Sequence, residues 1–350
     1  MAGPLSGVRI IELAGMGPGP FGCMILADHG AEVIRIDRPS AKFDDRDPML
    51  RSRVNLALDL KKPDDVARLL DLVQTADALV EGYRPGTLER LGLAPDILLA
   101  RNPRLVVARM TGWGQEGRQA QAAGHDINYI AVTGALHAIG GKDRPTPPLA
   151  LVGDFGGGAM FLAFSILAGL THARTTGVGQ IIDCAMVDGV RLLMAPFVAF
   201  QNDGSWKDER QANIIDGGAH FYNTYGTADG KFVAVGAIEP QFYAQLLSGL
   251  GLSNDPDFAD QMDKAKWPAL SDRMAAKFRE KTREAWCTIF DGTDACVAPV
   301  LSIEEAQTHP MAIERRSFIE VDGRIQPAPA PRYSATPLDL PTASRNIAGI

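Results

Sequence analysis

The beginning of the chain alternates between short apolar runs typical of strands and longer runs typical of helices. Residues 8–13 predict a buried strand, 21–29 a helix, and 31–36 the next strand. Gly30 stands where a helix commonly ends on a left-handed residue. Together these elements form a βαβ unit of about the usual 30 residues. Alternation of this kind predicts a doubly wound, mostly parallel sheet, which is a Rossmann-like α/β architecture. Further strands are predicted at 55–59, 78–80 and 105–110.

Composition limits the chain to a globular protein of about two domains. It has 350 residues, of which 46% are hydrophobic and 22% charged, and a domain typically takes roughly 150 residues. The net charge is −7 and no basic cluster appears, so a nucleic-acid partner is not expected. Neither a disulfide framework nor a zinc site is indicated, because the cysteines lie far apart in the sequence. This cysteine pattern agrees with a protein of a reducing compartment. The cysteines are Cys23, Cys184, Cys287 and Cys296.

Changes in composition along the chain divide it into domains. A large α/β domain is predicted over 1–190, followed by a polar, glycine-rich linker over 191–222. A hairpin with an Asp-Gly turn then opens a smaller α+β domain over 223–301. A return linker over 302–324 leads to a proline-rich tail. The tail is expected to pack in extended form and not as a further domain.

The sequence predicts a soluble, cytoplasmic protein without a membrane partner. The first residues show no positively charged segment before an apolar stretch, so no signal peptide is expected. The most apolar run covers 159–170 and is shorter than the roughly 20 residues that cross a bilayer. It therefore predicts a buried helix. The last three residues do not form the peroxisomal Ser-Lys-Leu signal.

A Gly-x-Gly-x-x-Gly pattern at 17–22 follows the first strand, and an aspartate ends the next strand, as in dinucleotide sites. Such sites work through backbone N–H groups that point at a pyrophosphate. Pro18 and Pro20 have no N–H, so two of those donors are missing. Arg35 and Arg38 suit a phosphate better than an unphosphorylated ribose. A glycine-rich turn that does not bind NAD is the favoured interpretation.

A histidine stands at the predicted start of a helix over 126–138. It belongs to the segment Gly-His-Asp-Ile-Asn-Tyr at 124–129. The free N–H groups at a helix start carry about half a positive charge. That field favours a neutral imidazole, which is a usable base, and it stabilises an oxyanion formed nearby. The pattern therefore indicates His125 as a candidate base. The alternative, in which His125 and Asp126 only cap the helix, stays open at this point.

Two acidic residues follow apolar, strand-like runs. Asp154 comes after 149–152 and before three glycines that begin the predicted helix 157–173. Aspartate caps helices well, but each glycine costs roughly 0.5–1 kcal/mol relative to alanine. That cost favours a backbone left bare for a ligand. Glu239 either points into a cleft or simply starts a helix, and both interpretations remain open. No spacing of ligand residues indicates a metal site.

Three segments resemble signatures of the family III CoA-transferase superfamily. They are Gly-Tyr-Arg-Pro-Gly-Thr-Leu-Glu-Arg-Leu-Gly-Leu at 82–93, Thr-Gly-Trp-Gly-Gln-Glu-Gly at 111–117 and Gly-Val-Gly-Gln-Ile-Ile-Asp at 177–183. Within that superfamily, the segments around His125 and Asp154 resemble the racemase branch, over nearly the whole chain. The transferases carry another residue in place of the histidine, so this residue discriminates between the two branches.

The resemblance implies a racemase or epimerase that interconverts the (R) and (S) forms of 2-methylacyl-CoA thioesters. His125 and Asp154 would be the acid/base pair on opposite faces of the substrate α-carbon. Glu239 would hydrogen-bond the histidine from the partner subunit of an interlocked homodimer. The large domain would be completed by residues 325–350. The residues implied to hold CoA and substrate are Arg38, Leu58, Asp59, Leu60, Lys61, Gly82, Tyr83, Arg84, Arg90, Gly124, Asp126, Ile127, Asn128 and Tyr129.

Elementary chemistry agrees with that implication. Inverting a stereocentre needs proton removal on one face and proton return on the other, so two groups of opposite protonation state are required. The enolate oxygen needs a donor, and the N–H of Asp126 is well placed to provide one. No metal or organic cofactor is expected, because the thioester already acidifies the proton. Two alternatives remain: a CoA-transferase with Asp154 as nucleophile, and a non-catalytic acyl-CoA binding protein.

Overall fold

A computed structural model describes residues 2–42, 44 and 46–347. The chain divides into two compact units. The first unit comprises Met1–Ala135, Pro148–Ala195 and Glu314–Ile350, and the second comprises Leu136–Pro147 and Pro196–Ile313. These divisions differ from the predicted boundaries, because 136–147 and 302–313 both belong to the second unit.

The polar stretch predicted as a linker is bonded into the second unit. The guanidinium of Arg210 donates to the carbonyl oxygens of Gly141 at 2.7 Å, His137 at 3.0 Å and Lys142 at 3.2 Å. These bonds join the glycine-rich stretch to the segment that precedes Pro148. Composition alone could not show this, because the contacts connect residues about 70 positions apart.

A seven-stranded sheet forms the centre of the first unit and confirms the predicted fold class. Its strand order is β12-β3-β2-β1-β4-β5-β6, and every neighbouring pair is parallel. The central strands are buried on both faces, as Ile10 and Ile11 illustrate. The strands are β1 (Arg9–Leu13), β2 (Glu32–Asp37), β3 (Arg53–Ala57), β4 (Ala78–Glu81), β5 (Val106–Thr111), β6 (Gln180–Ala185) and β12 (Arg345–Ile347).

Helices and hairpins complete this unit. The first helix begins at Pro18, earlier than predicted, because proline suits the first position of a helix. The tail contributes the sheet's edge strand β12, paired with β3, and a hairpin of β10 (Phe318–Val321) and β11 (Arg324–Pro327). The helices are α1 (Pro18–Asp28), α2 (Pro63–Val73), α3 (Thr87–Arg90), α4 (Pro95–Arg101), α5 (Asp126–Ala131), α7 (Phe161–Thr176) and α8 (Met186–Leu193), with a 3₁₀ turn at Pro48–Leu50.

The helix predicted over 126–138 is broken in two. It forms α5 and a short α6 (Ala135–Ala138), because Gly134 between them takes a left-handed conformation with φ 87°. Left-handed glycine is a common helix end. The division between the two units follows shortly after the break, between Ala135 and Leu136.

The strand-like run before Asp154 forms a turn at residues 149–150 and then the start of a helix, so that prediction was wrong. A π-helical segment covers Leu151–Met160 and continues directly into α7. Its glycines lie against neighbouring helices: a Cβ on Gly157 would lie 2.5 Å from the Val190 side chain, and one on Gly158 would lie 2.9 Å from Met186. The bare backbone therefore serves close packing against α8, and the expectation that it is left free for a ligand was wrong here.

The segment Leu151–Thr176 is long and apolar enough to span a membrane by length and composition alone. Core helices of water-soluble proteins meet the same criterion. Leu162 and Ile166 are buried in the core of the first unit. Phe164 is 68% exposed and Met160 52% exposed. The predicted buried helix is therefore buried on one face and exposed on the other.

The second unit contains a small antiparallel sheet and the predicted hairpin. Strands β7 (Tyr222–Gly226) and β8 (Phe232–Gly236) are joined through Asp229 and Gly230, and β9 (Val297–Val300) pairs with β8. Gly230 has the φ of 74° that such a turn requires. The helices are α9 (Ala195–Asn202), α10 (Pro240–Leu250), α11 (Trp267–Phe278), α12 (Arg283–Phe290), α13 (Ile303–Thr308) and α14 (Pro310–Glu314), with a 3₁₀ turn at Pro256–Phe258.

His220 makes the stability of the second unit depend on pH. Its side chain is fully buried, its Nε2 lies 2.7 Å from the Tyr243 hydroxyl, and burial lowers its pKa from 6.5 to about 4. Below pH 6.5 the unfolded chain binds a proton that the folded unit does not bind. We therefore expect the free energy of unfolding to fall by about 2 kcal/mol between pH 7 and pH 5.

Urea unfolding at both pH values measures this loss. In His220→Gln the fall in the free energy of unfolding between pH 7 and pH 5 is expected to be about 2 kcal/mol smaller than in wild type. In His172→Gln, which changes a histidine on the exposed surface of α7, the fall is expected to equal that of wild type. An equal loss in wild type and His220→Gln would contradict the assignment.

Candidate active site

His125 and Asp154 line one cavity of about 260 Å³ in the first unit. The cavity lies where β1, β4 and β5 end, and its wall includes Leu13, Glu81 and Thr111 from those strand ends. Ligand sites of open parallel sheets lie outside the carboxyl ends of their strands. The two residues singled out in the sequence therefore meet at the edge where such a fold binds ligands.

The N-terminus of α5 holds His125 in place. The histidine is the N-cap residue, and its backbone N–H donates to Oδ1 of Asn128 at 3.1 Å. The Tyr129 hydroxyl donates to the carbonyl oxygen of Gly124 at 2.6 Å. A Cβ on Gly112 would lie 2.1 Å from the Tyr129 ring, so only glycine fits there. His125 thus caps α5 through its backbone position and also presents an exposed side chain to the cavity.

Asp154 is the fourth residue of the π-helical segment, so the alternative interpretation, in which it only caps a helix, is wrong. Its carboxyl group is half-buried. Burial and the nearby Asp126 carboxylate raise its pKa, while His125 lowers it. A raised pKa makes the carboxylate a stronger base and makes its protonated form more accessible. The group can therefore take part in proton transfer in either direction.

A second cavity of about 590 Å³ adjoins the first. Gly15 and Met16 line both cavities, so the two spaces meet at the glycine-rich turn. Arg38 and Lys61 are exposed and offer positive charge at its rim. The predicted residues that line this cavity are Arg38, Leu58, Asp59, Leu60, Lys61 and Tyr83.

Arg35 also lines the second cavity, but it is buried and already paired. Its Nη1 lies 2.6 Å from Oδ2 of Asp37. Arg38, one residue after that aspartate, is therefore the better candidate for an anionic ligand.

A buried ion-pair network holds the segment between the cavities. Glu81 is fully buried and accepts from the backbone N–H of Tyr83 and from Nε of Arg109, both at 2.7 Å. Arg109 also pairs with Glu89 at 2.9 Å. Sequence reasoning missed Glu81 and Arg109. The available signal was a charged residue at or near the end of each of two apolar strands, which is costly unless paired.

The other predicted residues take different places. Gly82, Gly124 and Tyr129 line the first cavity, and Asp126 lies buried behind it. Glu239 is the exposed N-cap residue of α10 in the second unit. Asp126 and Glu239 line neither cavity, and the same holds for Arg84, Arg90, Ile127 and Asn128.

Arg90, predicted to hold CoA, bonds within its own helix. Its Nη2 donates to the Thr87 hydroxyl at 2.9 Å.

Within the part of the chain that the structure describes, no three His, Cys, Asp or Glu side chains come together as a metal site requires.

The family model for CoA-transferase family III matches residues 5–346, and the chain belongs to this family. The chain is 48% identical to alpha-methylacyl-CoA racemase of Mus musculus over 345 residues, which cover 98% of this chain and 89% of that protein. It is 46% identical to the Homo sapiens protein of the same name over 344 residues, which again cover 98% of this chain and 89% of that protein. The resemblance to the racemase branch is confirmed.

A solved structure agrees on the fold. The crystal structure of a CaiB/BaiF family protein from Brucella suis is similar with a TM-score of 0.84 and 24% identity, covering 97% of this chain and 95% of that one.

Proposed function

We propose that this protein is an isomerase that interconverts the (R) and (S) epimers of 2-methylacyl-CoA thioesters. The observation that carries the proposal is the presence of His125 and Asp154 in one cavity of about 260 Å³. The names of the mouse and human relatives support the same activity. Both cavities lie at the carboxyl edge of the sheet, so a long thioester could place its acyl end beside His125 and its CoA portion beside Arg38.

The proposed reaction is a 1,1-proton transfer. One member of the pair removes the α-proton, so that the C–H bond breaks and an enolate forms. The other member, already protonated, returns a proton to the opposite face and forms a new C–H bond. The backbone N–H of Asp126, in the first turn of α5, would stabilise the enolate oxygen. We propose that no metal or organic cofactor takes part, because the thioester carbonyl already acidifies the proton.

We propose that the protein acts as a homodimer. The helical segment Leu151–Thr176 exposes Leu151, Met160, Phe164 and Leu167 along one side, and an apolar surface of this kind favours association. Glu239 of the second subunit would then hydrogen-bond His125. A molar mass in solution of twice 37.5 kDa would support the dimer, and the mass of one chain would rule it out. The proposed location is the cytoplasm, without nucleic-acid or membrane partners.

CoA transfer is the alternative function. Asp154 would then attack the thioester carbonyl as a nucleophile and form an acyl anhydride, with CoA as the leaving group. His125 lines the same cavity and has no part in that scheme, which is why the racemase is preferred. A non-catalytic acyl-CoA binding protein would leave both residues without a role.

One experiment separates the three functions. A single epimer of a 2-methylacyl-CoA is incubated with the protein in deuterated buffer, with and without a carboxylate acceptor. Deuterium at the α-carbon together with epimerisation supports the racemase. Transfer of CoA to the acceptor indicates a transferase. If neither epimerisation nor CoA transfer occurs, the protein only binds acyl-CoA.

Arg38 provides a test of the CoA portion of the proposal. Arg38→Ala is expected to raise KM by about tenfold and to change kcat little, because the lost contact is made equally in the ground and transition states. The difference from wild type should shrink as salt rises, since an exposed charge pair is screened. Arg101→Ala, which removes an exposed arginine paired only with Asp71, is the control. An unchanged KM for Arg38→Ala at low salt would refute this role.

A further inference from the structure

The side chain of Asp126 joins the two segments that carry the acid/base pair. It follows His125 directly in the chain, and its Oδ1 accepts two hydrogen bonds from the π-helical segment. The donors are the backbone N–H of Gly153 at 2.6 Å and that of Asp154 at 2.8 Å. Since bonds to a carboxylate are roughly twice as strong as those between neutral groups, this contact fixes the start of α5 against the backbone of Asp154.

The surroundings of Asp126 allow this contact and do not provide another reason for its position. A Cβ on Gly153 would lie 2.4 Å from Oδ1 of Asp126, so a side chain there would force the two segments apart. Asp126 as a residue is 7% exposed, and its Oδ2 is buried with no hydrogen-bond partner among the described residues. No positively charged side chain pairs with it there. A buried, uncompensated charge is costly, so its position is not explained by a gain in packing.

We infer that Asp126 is a positioning residue for Asp154, which it holds by two backbone bonds while its negative charge strengthens Asp154 as a base. The inference rests on the proposed racemase function of this cavity. Asp126 lines neither cavity, so its side chain acts through Asp154. This role is separate from the one proposed for its backbone N–H, which all variants of this residue retain.

Few charged groups lie around Asp154, so the effect of Asp126 on the pKa of Asp154 can be separated from that of other charges. Burial and the charge of Asp126 raise the pKa of Asp154, and His125 lowers it. Tyr129, also on α5, has its own pKa raised by burial and by Asp154. Of the other packed helices, α8 carries Asp188 and Arg191, which pair with each other at 3.0 Å. The helix α7 has no acidic residue, and its His172 and Arg174 stand near its C-terminal end. Asp28, at the far end of α1, pairs with Arg51. Asp126 is therefore the acidic group whose removal should change the titration of Asp154.

Two variants separate position from charge. Asp126→Asn keeps an oxygen that can accept both N–H groups but removes the charge, whereas Asp126→Ala removes both bonds. We expect kcat to fall by up to about 100-fold in Asp126→Ala, as displaced catalytic groups do, with little change in KM. The kcat of Asp126→Asn should be about tenfold higher than the kcat of Asp126→Ala. For the epimer whose proton Asp154 removes, the acidic limb of the kcat/KM profile should move to lower pH in Asp126→Asn. Asp71→Asn, an exposed aspartate of α2, is the matched control.

A measurement without substrate keeps this inference separate from the proposed function. The carboxyl carbon of Asp154 is titrated by ¹³C NMR in the full-length free enzyme and assigned by its loss in Asp154→Asn. Its midpoint should lie at lower pH in Asp126→Asn than in wild type or Asp71→Asn. An unchanged midpoint overturns the inference, as do equal kcat losses in Asp126→Asn and Asp126→Ala. Absence of epimerisation and exchange in wild type would instead refute the proposed function, while the titration would still decide the role of Asp126.

Discussion

Alanine at position 125 is expected to lower the rate of epimerisation by about 10²–10⁴-fold, the range that a general base or acid usually contributes. The variant should bind CoA nearly as well as wild type, because Arg38 and its neighbours line the second cavity, which His125 does not line. The fold should also survive, since Asn128 bonds the backbone N–H of residue 125 and not its side chain. The measurement is the initial rate of epimerisation of each pure epimer, together with the CoA dissociation constant.

The matched control is His309→Ala, which changes a histidine that follows α13 in the second unit. It should epimerise at the wild-type rate. Turnover of His125→Ala within a few-fold of wild type would remove the histidine from the mechanism. A rate loss accompanied by an equal loss of CoA affinity would point to a binding role instead.

Asp154→Asn is expected to abolish epimerisation in both directions, because every complete inversion uses both members of the pair. Asparagine has nearly the same size, and its backbone N–H can still donate to Asp126, but its amide cannot carry a proton to or from carbon. Deuterium exchange without inversion should survive for the epimer whose α-proton faces His125. The histidine can remove that proton and return a deuteron on the same face. For the other epimer, exchange should vanish as well.

Mass spectrometry of each pure epimer after incubation in deuterated buffer measures this asymmetry. Asp71→Asn, on the exposed surface of α2, should exchange and epimerise both epimers as wild type does. Equal residual exchange from both epimers of Asp154→Asn would show that one base serves both faces. The two-base mechanism would then be wrong.

The glycines after Asp154 show how a correct observation can lead to a wrong explanation. Three consecutive glycines did indicate that something needs a bare backbone, because their conformational cost must be offset. The structure places Val190 and Met186 of α8 against two of them. Helix packing and ligand approach make the same demand on the sequence, namely the absence of a Cβ. Only the position of α8 distinguishes the two explanations.

The sequence by itself determined the class of fold and the two candidate acid/base residues. Strand and helix periodicity is local, so the βαβ alternation and the Asp-Gly hairpin could be recognised from neighbouring residues. Motifs of a few residues each singled out His125 and Asp154, and the resemblance of those motifs to the racemase branch implied their roles as an acid/base pair. These inferences need no knowledge of what lies across the fold.

Tertiary structure alone decided how those residues are combined. His125 and Asp154 share a cavity because Asp126 bonds backbone N–H groups 27 and 28 residues further along the chain. The link from Glu81 to Arg109 likewise spans 28 residues, and the bonds of Arg210 that tie the predicted linker into the second unit span about 70. Each contact depends on the packing of separate elements, which local periodicity does not encode. The sequence showed the types of the residues that make these contacts, but only the tertiary structure showed which residues they contact.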